Sequence, residues 1–569
     1  MTRLSAIPLA ALAILIAATT ALGGGGDANV TNGSPPSPFS QNKQNEPTIA
    51  NDAHSPNVLV AGSNDEIDEQ GCNGTSCPFT AGIGVSGVYF SFDSGQTWTQ
   101  PTYTGWSARA CKSGPCTPGV GPIGTLPWYF ENGLVSDGDP GVAFGPEPGA
   151  NGFSWGNGSR LYYSNLTSNF PAPKGDTAFN GFEAIAVSRT DNLQAAATGD
   201  KGAWMPPVLI SQQSSTTFSD KSQIWADNAS SSPFFGNVYV CWANFVGQEK
   251  GHAAPAQLKV AVSTDGGSTW SSPHPIGAAA NNGQRNPLDG CTIRTASDGT
   301  AFVFGIGTVS SLGKSSFELM STSTNGGGSW SSPTPVAGPV TQPGLFDPVL
   351  GRPTIDGIAG ARSDLAPAPS VDIANGAPDG HDATNRIVMS YVSGTINQQH
   401  VFFTESADGG NTWSTPRAVE TGANDHGVYT APAISPDGKN AYVVYNAFTT
   451  PYQNTTSTPR VMVGVLLKAS VGAGGTGAFS EAHRGAPGDP RGSSQNNLAG
   501  EFIGDYVYAT ATRTFGAAVW NDARNEADCP AIDAYRQSQR TAPGTVSRPA
   551  PLTDCPAKFG NLDIFSGTA

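Results

Sequence analysis

The sequence has few charged residues and very few histidines. Only 13% of its 569 residues are Asp, Glu, Lys or Arg, and acidic residues outnumber basic ones by 44 to 29. The resulting net charge of −15 is spread along the chain and disfavours contact with a phosphate backbone, so we expect no nucleic-acid partner. The 7 scattered histidines argue against a histidine-rich metal centre.

The sequence also lacks the short motifs of several enzyme classes. It contains no H-E-x-x-H zinc motif, no G-x-S-x-G nucleophile elbow and no phosphate-binding glycine loop between a strand and a helix. No segment after residue 22 approaches the apolar length of a membrane span. These absences leave two classes of function to consider, a binding protein and a hydrolytic enzyme.

The N-terminus predicts export. An apolar stretch from Ile7 to Leu22 follows Arg3 and ends in small residues, which is typical of a secretory signal peptide over residues 1–22. Residues 23–45 are rich in Gly, Ser, Pro and Asn and predict a flexible lead-in. We expect residues 46–569 to form one domain, secreted to the extracellular space as a monomer.

The 8 cysteines of an exported chain most simply form disulfides. The expected pairs are Cys72 with Cys77, Cys111 with Cys116, Cys529 with Cys555 and, as the remaining two, Cys241 with Cys291. Zinc is the less favoured interpretation of the two short pairs, because oxidation dominates outside the cell and no histidine lies beside them.

Four nearly identical octapeptides punctuate the chain. They are SFDSGQTW at 91–98, STDGGSTW at 263–270, STNGGGSW at 323–330 and SADGGNTW at 406–413. The Asp or Asn side chain can bond its own backbone, the glycines supply positive φ, and the tryptophan covers the turn. The pattern therefore predicts tight hairpins whose acidic residues are structural rather than catalytic or metal-binding.

A second short sequence motif, which we call the second phrase, recurs between the octapeptides and predicts the architecture. It begins near residues 46, 139, 220, 291, 352, 431 and 505, and a strongly β-forming run follows each time. With 71 Gly and 45 Pro, the composition is also that of an all-β protein. Repeats of strand, strand, strand, turn and strand bury their apolar faces by radial stacking. We predict a single β-propeller of seven four-stranded blades, or six if one repeat is an insertion.

Polar residues are predicted to converge at one mouth of the propeller. The first strand of each blade lines the channel, and the antiparallel second strand returns to the face where the first began. The starts of inner strands are Glu46, Asp139, Asp220, Arg352 and Asp505, and the ends of return strands include Asn64, Asp65, Asn165, Asn244, Asn446, Asn521, Asp522 and Arg524. Such a set suits a polyhydroxylated or anionic ligand, or a structural calcium ion. Capping of strand ends is the competing explanation for any single position.

The octapeptides match the Asp-box, so the chain resembles the Asp-box (BNR-repeat) propellers, of which secreted sialidases are the best known. That resemblance implies three arginines on a sugar carboxylate, a tyrosine nucleophile activated by Glu, and an Asp as acid/base. Carried onto this chain, it makes Asp139 or Asp65 the acid/base, Tyr506 the nucleophile with Glu501 as its partner, and Arg352 with Arg524 the anion clamp. Glu46, Asp505 and Asp522 would complete the substrate site, and Arg294 and Arg386 are weaker candidates for the clamp.

The sequence departs from that family at its first blade. An aromatic residue followed by Arg-Ile-Pro is expected, and Glu46-Pro47-Thr48-Ile49 stands there instead, which reverses the charge. The first hypothesis is a secreted, sialidase-like glycoside hydrolase that acts on terminal, including acidic, sugars without a required cofactor. The alternative, which the reversed charge favours, is a non-catalytic propeller that binds extracellular glycans or proteins.

Overall fold

The computed structural model describes residues 26–171, 177–211, 214–246, 257–277, 286–313 and 315–569. The predicted signal peptide lies outside these ranges. Within them the chain is nearly all-β, and its small antiparallel sheets form a propeller of seven blades. The prediction of seven blades is confirmed.

Blades one to six follow the chain in order. Blade one comprises Gln44–Asn51, Leu59–Asp65 and Ser86–Ser91, and blade two comprises Gly141–Gly149, Gly152–Asn169, Ala184–Thr190 and Trp204–Leu209, with Leu134–Ser136 added. Blade three comprises Thr217–Ala226, Val238–Val246, Gln257–Ser263 and His274–Pro275. Blade four comprises Asn286–Thr295, Ala301–Thr308, Ser316–Ser323 and Thr334–Val340. Blade five comprises Ser370–Ile373, Ile387–Ser393, His400–Ser406 and Arg417–Ala418. Blade six comprises His426–Ile434, Asn440–Phe448, Met462–Gly472 and Ser480–Arg484, with Gly475–Thr476 added.

Blade seven joins the two ends of the described chain. Its strands run from the channel outward as Tyr508–Ala511, Gly516–Asp522, Asp563–Thr568 and Ala28–Asn29. The inner strand of each blade packs on that of the next, and the inner strand of blade seven packs on that of blade one. The ring is therefore closed by antiparallel pairing of the N-terminal strand with the C-terminal one.

The remaining elements decorate the ring. Tyr103–Ser107 pairs with Gly119–Ile123, and Leu345–Asp347 pairs with Arg352–Thr354. The α-helices are Leu193–Ala197, Pro530–Thr541 and Pro551–Asp554, and the 3₁₀ helices are Glu66–Asp68, Phe130–Asn132, Lys201–Ala203, Ser310–Leu312 and Pro490–Gly492. None of the helices in the described ranges is long and apolar enough to cross a membrane.

The apolar core lies between neighbouring blades rather than in one central mass. One cluster joins Tyr162 and Ile185 of blade two to Trp242 of blade three, and another joins Phe304 of blade four to Met389 of blade five. Trp242 is fully buried. Each sheet is thus covered on both faces by its neighbours, which explains the continuous apolar runs of the middle strands.

Each octapeptide forms the turn after the third strand of its blade. In the hairpin at 263–270, Asp265 Oδ1 accepts the Ser263 hydroxyl at 2.8 Å and the Thr269 amide at 2.9 Å, and Gly267 N–H donates to Ser263 Oγ at 2.8 Å. The other three copies repeat these contacts. Because strands one to three alternate in direction, these turns lie at the end of the propeller opposite to the predicted mouth.

The four predicted disulfides are present: Cys72–Cys77, Cys111–Cys116, Cys241–Cys291 and Cys529–Cys555. Cys241 lies on the second strand of blade three and Cys291 on the first strand of blade four. This bridge covalently links two neighbouring blades.

Two segments differ from expectation. The phrase at residue 352 is not an inner strand, because Arg352–Thr354 pairs with Leu345–Asp347 and the glycine-rich residues that follow turn back on it. The inner strand of blade five is Ser370–Ile373 instead. Residues 26–45, expected to be a flexible lead-in, contain the outer strand of blade seven, and Val30 and Thr31 are fully buried.

Candidate functional site

Inner-strand starts from blades one, two and seven meet at the mouth of the channel. The Asn64 amide, at the end of a return strand, donates to Glu46 Oε2 at 2.7 Å, and Asn64 Oδ1 accepts the Asp139 N–H at 2.9 Å. The Glu46 N–H donates to Asn521 Oδ1 at 3.1 Å. The structure therefore brings together Glu46, Asp139 and the two asparagines that the repeat pattern placed at the mouth.

Backbone conformation at this mouth is unusual in four successive blades. Glu46, Asp139, Lys221 and Gly290 have φ of 58°, 52°, 47° and 61°. Asp139 lies two residues before the pairing of its inner strand begins, and the other three lie in an interruption of the pairing, two residues before it resumes. The left-handed conformation costs about 1–3 kcal/mol at a residue other than glycine. This irregularity, like a β-bulge, redirects side chains at the channel entrance.

Arg362 holds two of the carboxylates in place. Its Nη2 lies 2.9 Å from Glu46 Oε1 and its Nε lies 2.7 Å from Asp505 Oδ1, while its guanidinium stacks over the ring of Phe502 at 4.7 Å. Sequence reasoning missed Arg362. It lies in the insertion between blades four and five, where no repeat marks its position.

Asp139 is the acceptor at the centre of the carboxylate cluster. Its Oδ1 lies 3.3 Å from the Tyr506 hydroxyl and its Oδ2 accepts the Lys221 N–H at 3.3 Å. Burial alone would raise the pKa of Asp139, but a hydrogen bond from Glu46, the charge of Lys221 and a hydrogen bond from Asp220 hold it below its usual range. Asp139 therefore favours the ionised form.

Two neighbours of Asp139 favour the protonated form. Burial and the charge of Asp139 raise the pKa of Glu46 well above its usual value, even though Arg362 opposes the shift. Burial and Asp139 likewise raise the pKa of Asp220 well above its usual value. A proton donor and a proton acceptor therefore lie side by side at the mouth, which is the arrangement that acid/base catalysis requires.

Tyr506 and Lys221 complete the cluster. The Lys221 ammonium lies 3.2 Å from the centroid of the Tyr506 ring and donates to the Tyr508 hydroxyl at 3.2 Å. Burial, followed by the charges of Asp139 and Glu46, raises the pKa of Tyr506 well above its usual value. The Tyr506 hydroxyl is therefore a phenol in the free protein, with Asp139 as its acceptor.

A cleft of about 670 Å³ opens beside the cluster and shares Arg362 and Asn64 with it. Four cations line it: Lys43, Arg352, Arg362 and Arg548. Arg352 lies 3.3 Å from Asp364, and the ring of Phe79 is 62% exposed on the wall. The cleft thus combines positive charge with an exposed aromatic face.

Asp65 does not face the mouth. Its carboxylate accepts hydrogen bonds from Ser34, Gln44, Tyr89, Gln100 and the Ile67 amide, and it is fully buried. Successive residues of a strand point to opposite faces, so Asn64 reaches the mouth and Asp65 does not. The contacts of Asp65 are those of a structural carboxylate.

Glu501 is directed away from Tyr506. Its carboxylate lies 3.4 Å from Arg460 Nε, which is also 3.0 Å from Asp356 Oδ2. Arg460 and Glu501 are both buried. The carboxylate that contacts the Tyr506 hydroxyl is that of Asp139, on another blade.

Arg524 and Asp522 do not join Arg352. The guanidinium of Arg524 lies 2.7 Å from Asp522 Oδ2, pairs with Asp27 and stacks on the ring of Phe565 at 3.9 Å. Asn521 faces the mouth, so alternation along the strand directs Asp522 to the opposite face. The predicted two-arginine clamp is not assembled.

Within the described part of the chain, no three His, Cys, Asp or Glu side chains are grouped so that they could hold a metal ion.

No family model matches the sequence, and no curated protein does. Among solved structures, the Hadza microbial sialidase Hz136 is similar at 12% identity and a TM-score of 0.39, over 71% of this chain and 63% of that one. A Dyadobacter fermentans protein of unknown function is similar at 10% identity and a TM-score of 0.38, over 75% of this chain and 93% of that one. The alpha-L-arabinofuranosidase Arb93a of Fusarium graminearum is similar at 11% identity and a TM-score of 0.34, over 78% of this chain and 94% of that one. This chain thus spans less than two thirds of the sialidase. Structural similarity at this level says nothing about the chemistry of the site, which we infer from the geometry of the site itself.

Proposed function

We propose that the protein is a secreted glycoside hydrolase that cleaves a terminal sugar at the mouth of the propeller. The observation that carries the proposal is the contact of the Tyr506 hydroxyl with ionised Asp139, beside the protonated carboxyl of Glu46. A nucleophile with an adjacent base, and a separate proton donor, are the groups that a two-step displacement needs.

The proposed reaction has two half-reactions. As Tyr506 Oη attacks the anomeric carbon, Asp139 takes the phenol proton and Glu46 gives its proton to the departing glycosidic oxygen. Glu46 then takes a proton from water, the water oxygen attacks the same carbon, and Tyr506 Oη leaves with the proton from Asp139. Two displacements retain the anomeric configuration.

The neighbouring cleft favours an acidic sugar as substrate. Of the four cations that line it, Arg362 pairs with Glu46 and Asp505, Lys43 pairs with Glu66 at 2.7 Å, and Arg352 pairs with Asp364 at 3.3 Å. Arg548 donates to the Asn496 carbonyl oxygen and, among the described residues, pairs with no carboxylate, so its charge is open to an anionic ligand. Phe79 offers an exposed ring against which the apolar face of a sugar can pack. Four disulfides suit an extracellular protein, so we propose extracellular glycans that end in a sialic or uronic acid.

Hydrolysis of a panel of fluorogenic terminal glycosides, including a sialoside, a glucuronide and an arabinofuranoside, tests the proposal. Tyr506→Phe and Asp139→Asn should each lower kcat by about 10²–10⁴-fold on the hydrolysed glycoside. Tyr103→Phe is the matched control, because its hydroxyl contacts Ala196 O between two of the elements that decorate the ring, and its kcat should not change. If the wild-type protein hydrolyses none of the panel at any pH, the proposal is wrong.

One observation favours the alternative of a non-catalytic glycan-binding propeller. Arg362 is neutralised by two carboxylates, and burial keeps Tyr506 protonated, so the mouth can hold a sugar through hydrogen bonds without attacking it. Calorimetric binding of a glycan without release of any sugar would support this function. Turnover that disappears in Tyr506→Phe would exclude it.

A further inference from the structure

Lys221 occupies a position that the proposed reaction does not yet use. It lies in the middle of the inner strand of blade three, where the pairing is interrupted between Asp220 and Gln223, and only 6% of its surface is exposed. Among the described residues, no carboxylate lies within ion-pair distance of its ammonium group, and its one hydrogen bond is to the Tyr508 hydroxyl. A buried ammonium group is costly without a partner, so its location requires an explanation.

The side chain and the backbone of Lys221 contact the two proposed catalytic groups separately. The ammonium lies 3.2 Å from the centroid of the Tyr506 ring, and the ring of Tyr508 lies 5.3 Å away. The backbone N–H, at a residue with φ of 47°, donates to Asp220 Oδ1 at 2.9 Å and to Asp139 Oδ2 at 3.3 Å. The strained backbone therefore places a cation against the nucleophile and a donor against its base.

Two described cations, Lys221 and Arg362, act on the Tyr506–Asp139 pair, and Arg362 is the one that carboxylates already neutralise. The ionisable groups that face the Tyr506–Asp139 pair from the neighbouring inner strands and the insertion are Glu46, Asp220, Lys221, Asp289, Arg362, Asp505 and Tyr508. Arg362 is bound to Glu46 and Asp505. A cation on the face of an aromatic ring is attracted to it, and more strongly when the ring carries negative charge.

We propose that Lys221 is a positioning residue for Tyr506 and Asp139: its ammonium fixes the Tyr506 ring and stabilises the negative charge that Tyr506 gains as Asp139 removes its proton. This inference rests on the proposed function, and it adds a residue from a fourth blade to the reaction. Lys221 does not exchange a proton with the substrate and forms no bond to it.

The first test compares Lys221→Met and Lys221→Arg with wild type on the hydrolysed glycoside. Lys221→Met should lower kcat by about 10–100-fold while KM changes less than about 3-fold, and Lys221→Arg should restore most of the loss. Lys468→Met is the matched control, because it also removes a cation from a tyrosine ring, that of Tyr442 at 5.5 Å in blade six. Its kcat should equal that of wild type.

The pH profile separates an electrostatic role from a structural one. The charge of Lys221 helps to hold the pKa of Asp139 below its usual range, and the reaction needs ionised Asp139. Removing that charge raises this pKa, so the acid limb of kcat/KM should move to higher pH in Lys221→Met and return in Lys221→Arg. An acid limb unchanged in Lys221→Met would overturn the inference.

A measurement without turnover keeps the inference separate from the proposed function. A rapid jump to alkaline pH, read by tyrosinate absorbance before the protein unfolds, reports Tyr506 as the difference between each protein and its Tyr506→Phe counterpart. We expect Tyr506 to ionise at higher pH in Lys221→Met than in wild type. If no glycoside is hydrolysed but this shift is found, the proposed function fails and the effect of Lys221 on Tyr506 stands. If the shift is absent while Tyr506→Phe abolishes turnover, the inference fails alone.

Discussion

Glu318 shows how one buried carboxyl group without a partner affects this protein. It lies on the third strand of blade four, is fully buried, and neither carboxylate oxygen has a hydrogen-bond partner among the described residues. Burial alone raises its pKa well above the usual value. A buried ionised carboxylate without a partner is far more costly than a neutral one, so the folded protein holds this group protonated.

Glu318 therefore makes stability depend on pH. Because its folded-state pKa is raised, the stability it contributes is complete below the unfolded value of about 4.5 and is lost as pH rises toward the folded value. Glu318→Gln cannot ionise and should be more stable than wild type by about 2 kcal/mol at pH 7, with no gain at pH 4. Urea denaturation at both pH values measures the difference.

The control for that prediction is Glu131→Gln. Glu131 is exposed and pairs with Lys201 at the surface, so its replacement should change the free energy of unfolding by less than about 1 kcal/mol at either pH. Equal stability of Glu318→Gln and wild type at pH 7 would contradict the assignment of Glu318 as a buried neutral acid.

At the scale of the element, each octapeptide hairpin contacts the blade that precedes its own. Gly267 of blade three has φ of 81° and leaves no room for a side chain against Arg189 and Tyr162 of blade two. Trp413 of blade five packs edge-on against Phe304 of blade four, and Trp98 of blade one donates to Ser566 Oγ of blade seven. The conserved spacing within the repeat therefore serves an inter-blade contact as well as a turn.

The hairpin at 263–270 gives a test of this structural role. Asp265 accepts four hydrogen bonds from Ser263, Ser268 and Thr269, so Asp265→Ala should lower the free energy of unfolding by about 1–2 kcal/mol. Thermal denaturation measures the loss. Any glycosidase activity should be unchanged, because the turn lies at the end opposite to the mouth. Loss of activity in a folded Asp265→Ala protein would contradict the structural assignment.

Asp298→Ala is the matched control for the hairpin. Asp298 is an exposed turn residue whose carboxylate accepts one hydrogen bond, from Thr300 N–H. Its replacement should cost clearly less stability than that of Asp265. Equal losses would mean that the repeated contacts of the octapeptide add nothing beyond an ordinary turn.

The repeats also explain which elements could be predicted and which could not. Local turn chemistry fixed the four hairpins, and the spacing of the second phrase fixed the register that pairs Cys241 with Cys291. The prediction of an inner strand at Arg352 was wrong. Its local sequence resembles the start of an inner strand, but the segment pairs with Leu345–Asp347, which belongs to the insertion between blades four and five. Long insertions carry no periodic signal.

The same reasoning applies to the candidate site. The starts of inner strands placed Glu46, Asp139 and Asp505 together, because a repeat fixes where each strand begins. It does not fix which of two successive residues faces the channel, so Asp65 was assigned to the mouth although Asn64 occupies it. Arg362 could not be predicted, since an insertion brings it to the mouth from outside the repeat.

At the scale of the whole molecule, stability depends on closing the ring. Ala28 and Asn29 pair with Ser566 and Phe565, and the Val30 N–H donates to Ile564 O at 2.8 Å. Val30 is fully buried in the cluster that joins blades five, six, seven and one. The outer strand of blade seven thus connects the beginning of the domain to its end, and no other blade is built from both ends of the described chain.

A chain that begins at Ser34 should therefore be less stable than one that begins at Gly26. It loses the outer strand, its backbone hydrogen bonds and the burial of Val30, which together contribute about 3–5 kcal/mol. We expect a lower melting temperature and earlier proteolysis within Asp563–Thr568, because that strand becomes an unpaired edge. The mouth draws on blades one, two, three and seven, so opening the ring beside blade seven should also weaken substrate binding. Identical melting temperatures for the two chains would mean that the ring is held closed by its inner strands alone.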